Sequence, residues 1–142
     1  MTNGSIVDQN RETDIKGVFS CGNVLHVHDL VDYVSDEAEI AGRGAANYIK
    51  GENEKTIEIP ITTDGKIRYT VPQIITEKKD VTVYFRVSNV FKNVKVNVYA
   101  DGNLVLSRKK QRVAPAEMET IKINKDVFEN AKSLSFKLEE IQ

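Results

Sequence analysis

Residues 55–142 alternate apolar and polar side chains one by one, in stretch after stretch. In "DVTVYFRV", Val81, Val83, Phe85 and Val87 share one face, and Thr82, Tyr84, Arg86 and Ser88 share the other. A period of two marks a strand with one buried face. "NVKVNVYADG" sets Val94, Val96 and Val98 on one face and turns at Asp101-Gly102 into "NLVLSRKK", so 94–109 reads as a hairpin. "TIEIPIT", "KIRYTVP", "METIKIN" and "SLSFKLEE" add four more strands, with Asp64-Gly65, Pro72 and Pro115 as punctuation. Some seven short strands, each with one apolar face, need a second sheet to cover that face. This predicts a small antiparallel β-sandwich of the immunoglobulin-like kind over 55–142. With one cysteine and no tryptophan, the likeness is one of architecture only. The basic run "SRKKQR" (107–112) reads as a solvated strand edge that discourages sheet-to-sheet association.

Residues 1–50 follow another grammar. "IKGVFSCGN" predicts a short buried strand, Val18 to Cys21, that ends at Gly22. A loop follows, and then "DEAEIAGRGAANYIKG" predicts a helix with Asp36 as its cap, Glu39 three residues on, and Gly51 at its end. Ala38, Ala41, Ala45 and Tyr48 fall on one face. Gly42 and Gly44 each cost about 1 kcal/mol relative to alanine inside a helix, which points to close approach of another backbone. One strand and one helix cannot bury a core alone, so this half is expected to be incomplete, with "GENE" (51–54) as a linker.

The intervening loop holds His26, His28, Asp29 and Asp32. His-x-His alone lacks the further converging ligand that a metal centre needs, so no metal site is assigned. General acid or base chemistry suits a histidine near neutral pH, yet the sequence supplies no orienting partner for either. Cys21 reads as a small buried residue with no basic neighbour to activate it.

The segment "TDIKGVFSCGN" (13–23), followed by a helix containing "AGRGAA" (41–46), resembles the C-terminal flavin-binding segment of the pyridine nucleotide-disulphide oxidoreductases. It is similar to the T-x-x-x-G-x-[FY]-x-x-G-D and A-G-x-G-x-x-A elements of thioredoxin reductases and NADH-dependent flavoprotein oxidases. "GNVLHVHDLVD" (22–32) with a β-rich extension resembles a subgroup of FAD-dependent oxidoreductases. The resemblance implies that Gly22 lets the backbone pass close to the flavin and that Asn23, in place of the usual aspartate, accepts a ribityl hydrogen bond. It also implies that the helix start at Asp36, Glu37 and Ala38 faces the pyrimidine side of the ring, where a helix N-terminus stabilises negative charge on reduction.

The phosphate-cradling G-x-G-x-x-G turn, the NAD(P)-binding domain and C-x-x-C are all absent from these 142 residues. The resemblance therefore implies the C-terminal part of a flavin-dependent NAD(P)H oxidoreductase. FAD would be bound in the intact parent and none by this chain alone, which is not expected to be catalytic. The implied partners are the missing N-terminal FAD and NAD(P) domains. Two rival readings are a non-catalytic β-sandwich binding or assembly module, and a homodimer that covers the orphan strand and helix. A net charge of −1 gives no pull toward nucleic acid or anionic lipid. No apolar run approaches the ~20 residues of a membrane helix, and a single cysteine suits a reducing cytoplasm.

Overall fold

A computed structural model describes residues 4–141. It is a mixed fold of one α-helix and two β-sheets that together hold eight strands. In chain order the elements are α1 (Val31–Lys50), β1 (Ile59–Thr63), β2 (Ile67–Val71), β3 (Ile74–Ile75), β4 (Val81–Val87), β5 (Phe91–Ala100), β6 (Asn103–Val113), β7 (Glu119–Ile123) and β8 (Leu134–Glu140). One sheet has the order β3-β1-β8-β5-β6, and the other β2-β4-β7.

The alternation places the core. Val81, Val83, Phe85 and Val87 of β4 join Val94, Val96 and Val98 of β5 and Leu134, Phe136 and Leu138 of β8 in one buried cluster. Phe85 and Phe136 meet across the two sheets with ring centroids 6.2 Å apart. The hairpin β5–β6 turns at Asp101 and Gly102, both at positive φ (48° and 84°), as a two-residue turn between twisted strands requires. Strand β6 is an edge strand, so the basic run 107–112 does lie along an open edge.

The pairing is not wholly antiparallel. Strand β1 runs parallel to β8, with Ile61 opposite Leu134 and Thr63 opposite Phe136. Seventy residues separate these strands, so no tight turn forces them antiparallel. Strand β3, two residues long, is too short to show a period and was not expected.

The N-terminal region departs further from expectation. Val18 to Cys21 is not a strand: Phe19 makes one isolated bridge to Glu12, and Val18 is 45% exposed. The helix begins at Val31, five residues before Asp36, and its N-cap Leu30 offers no side-chain cap. Asp36 is therefore not a cap, and the acidic residue of the first turn is Asp32. Gly51, left-handed at φ 73°, ends the helix as expected. On the inward face Ala41 is buried and Ala45 and Tyr48 half-buried, but Ala38 is exposed, because starting the helix earlier leaves its register to Glu37. Gly44 has the close neighbour: a Cβ there would stand 2.5 Å from the Asn10 carbonyl oxygen. Gly42 has nothing within 4 Å and faces solvent.

Residues 7–30 and α1 lie on the outer face of the three-stranded sheet. Val7 donates its N–H to Gln73 Oε1 at 2.9 Å and accepts from Gln73 N at 3.1 Å. Thr76 donates to Gln9 and Asp8. Val7 and Leu25 pack with Val71 and Tyr69. Strand β4 is consequently covered on both faces, with Tyr84 buried opposite the core residues. Among the described residues no helix is long and apolar enough to cross a membrane.

Candidate functional site: one buried carboxylate shared by two histidines and an arginine

Three local structures bring the site together. In the first, the Asp8 carboxylate accepts the N–H groups of Asn10 (2.9 Å) and Glu12 (3.0 Å). This tight turn holds Arg11 at a positive φ of 67°, a conformation that costs a non-glycine residue about 1–2 kcal/mol. The second is a single 3-10 turn, Gly22–Val24, whose first carbonyl accepts from the amides of Leu25 and His26. Beyond it His26 and His28 are buried against Glu37 while Val27 between them is exposed, so the two rings lie to the same side. The third is the second turn of α1, which carries Glu37 inward.

Three side chains and one backbone N–H meet at Glu37. Arg11 Nε donates to Oε1 at 3.2 Å, and His26 Nε2 lies 2.8 Å from the same oxygen. Oε2 takes His28 Nε2 at 3.0 Å and the Gly22 N–H at 2.8 Å. Glu37 is 0% exposed and Arg11 1%, so an ion pair here stands in a medium where losing either partner is costly. The His26 and His28 rings meet edge to face at 4.3 Å. Tyr69, Tyr84 and Tyr33 surround them at 5.8–6.4 Å, and the Arg11 guanidinium lies 5.8 Å over the Tyr84 ring. Arg86, also on the outer face of β4, fastens the loop from below by donating to the Val27 carbonyl at 2.8 Å.

Burial alone would raise the Glu37 pKa, but the hydrogen bonds from His26 and His28 and the charge of Arg11 outweigh it and hold the carboxyl down at about 2. Burial lowers the pKa of His26, with Glu37 opposing. Burial likewise raises Tyr69 and Tyr84. Burial thus favours the neutral form of His26, and each ring turns its Nε2 to a carboxylate oxygen of Glu37. Neither Nδ1 has a hydrogen-bond partner, nor has Arg11 Nη2.

Of the residues singled out from sequence, the structure brings Gly22 and Glu37 together. Gly22 is left-handed at φ 68°, and nothing lies within 4 Å of where a Cβ would stand. Asn23 is exposed beside it, and Asp36 and Ala38 are exposed on the outer side of α1. Cys21 is half-buried and unpaired. The sequence reading missed Arg11 and the role of the two histidines as partners of Glu37. The available signal was the His-x-His spacing with an acid at the inward position of the next helix; the carboxylate that orients them lies nine and eleven residues on. No protein-family model, curated protein or solved structure matches the chain.

Proposed function

We propose that the chain is the C-terminal part of a flavin-dependent NAD(P)H oxidoreductase, in which Gly22 and Asn23 form one wall of the FAD site. A band of uncovered apolar side chains on that wall carries the reading. Val24 is 73% exposed, Val27 61%, Leu30 54% and Val31 77%, all between the Gly22 turn and the first residue of α1. Four exposed apolar side chains within eight residues are more than the single exposed apolar residues common on folded domains. A cofactor domain seated on this edge would cover it.

The open space beside Gly22 fits the close passage of a planar cofactor, since the left-handed conformation excludes most side chains there. With the helix beginning at Val31, the free amides that would face the ring are those of the first turn, Val31 to Tyr33, in place of Asp36 to Ala38. Both Glu37 oxygens are already occupied, so its contribution is to hold Gly22 and the histidine loop. The paired sheets of 55–142 would then be an immunoglobulin-like appendage of the enzyme, used for dimerisation or docking, in the cytoplasm.

The test is to express the chain joined to the coding sequence that precedes it and to record the flavin absorption band. The joined protein should be yellow and reducible by NADH or NADPH, and the chain alone colourless. Gly22→Val in the joined protein should lose the flavin while circular dichroism is kept. Stoichiometric flavin on the isolated chain, or a colourless joined protein, overturns the reading.

A further inference from the structure

His26, His28 and Glu37 each offer a donor atom within 4.8 Å of the others, and all three are buried. We propose that these three side chains bind a divalent cation of the zinc class, at a site that stands whether or not the flavin reading does. Two imidazoles and one carboxylate are a donor set such ions take, commonly with a further position for water.

The surroundings of Glu37 are those of a metal-ligating carboxylate, whose orientation is fixed by outer donors. Arg11 Nε holds Oε1 and the Gly22 N–H holds Oε2. Taking away the two histidine contacts therefore leaves the carboxylate in place, with one lone pair on each oxygen facing the rings. The histidine nitrogens now stand 2.8 and 3.0 Å from those oxygens. With metal–ligand bonds of about 2.0–2.2 Å, a tetrahedral ion needs its ligands to part by roughly half an ångström.

The unpartnered Nδ1 atoms are the second observation. With no hydrogen bond at Nδ1, nothing ties either ring to one tautomer, and the bound form would carry its Nδ1–H without the outer acceptor that metal-ligating histidines ordinarily have, which limits affinity. On binding, the proton on each Nε2 moves to Nδ1 of the same ring, and the freed Nε2 lone pair goes to the ion. Arg11 limits affinity further, since its charge beside the carboxylate opposes a second cation.

The experiment uses the full chain without a histidine tag, stripped with EDTA. It is titrated with Zn2+ by calorimetry and with Co2+ by visible absorption. Because the chain has two histidines, their ring nitrogens in a long-range 1H–15N spectrum report this site alone. We expect one equivalent bound, a low-coordinate Co2+ spectrum, and movement of both sets of ring nitrogens together. His28→Ala should weaken binding at least about tenfold. Absence of saturable one-equivalent binding, or ring nitrogens that Zn2+ leaves unmoved, overturns the proposal; both measurements use the native chain and need no variant to fold.

Discussion

Gly22 and Glu37, fifteen residues apart, are joined by a single 2.8 Å hydrogen bond from a backbone N–H to a buried carboxylate. The same carboxylate holds Arg11, His26 and His28. Four donors from two loop segments thus depend on one helix side chain.

Glu37→Gln should be among the most damaging isosteric changes in the chain. The amide nitrogen would turn a donor toward other donors and leave the Arg11 charge buried without its partner. Breaking one side of a buried ion pair costs about 3–5 kcal/mol, which for a chain of this size is roughly a 10 °C loss in melting temperature. A thermal melt within 2–3 °C of the native chain would show that the cluster is not holding the loop.

The cluster makes acid stability fall in two stages. His26 has a folded pKa below its usual 6.5, so the unfolded chain takes up its proton first, and stability declines as pH drops through 6.5. Glu37, at about 2 against its ordinary 4.5, contributes fully above 4.5 and loses that contribution between 4.5 and 2. In metal-free protein, urea midpoints should therefore drop from pH 7 to 5 and drop again below 4.5. His26→Gln should flatten the first stage and shrink the second, because His26 is one of the donors that hold the Glu37 carboxyl down; an unaltered first stage would reassign it.

Two glycines of α1 should respond with opposite sign. Gly42→Ala meets nothing within 4 Å and should stabilise the helix by about 1 kcal/mol. Gly44→Ala puts a methyl group 2.5 Å from the Asn10 carbonyl oxygen and should cost about 1–3 kcal/mol by overpacking. Chemical denaturation of the two variants checks the pair, and equal effects would mean that α1 does not press on residues 8–13.

A chain that starts at residue 55 should lose stability despite keeping all eight strands. It uncovers Val71, which is fully buried, and Tyr84, which is 6% exposed, and each such side chain is worth about 1.5–3 kcal/mol. We expect a lower urea midpoint and new binding of an apolar dye. A shortened chain as stable as the whole would indicate that the outer face of the three-stranded sheet gains nothing from its cover.

The longer β-strands were legible because each carries its own proof. Val81, Val83, Phe85 and Val87 announce a buried face without reference to any other segment, and Asp101-Gly102 announces its own turn. The parallel pairing of β1 with β8 was not legible, since nothing local records which distant strand completes a sheet. The helix start was misplaced because Asp36 and Glu39 imitate a cap, whereas the true N-cap, Leu30, has no capping side chain. The cluster at Glu37 failed to show for a related reason. A buried carboxylate looks like a solvated one until Arg11, His26 and His28 are seen to converge on it, and that convergence belongs to tertiary structure.

Strand β4 is covered on both sides, by the shared core through Phe85 and by the histidine cluster through Tyr84. A substitution in this strand answers to two tenants, and an insertion of one residue would trade their places. The two halves of the chain, unlike in grammar, therefore share one strand as their common wall. Neither could be exchanged for an unrelated module without rebuilding the wall between them.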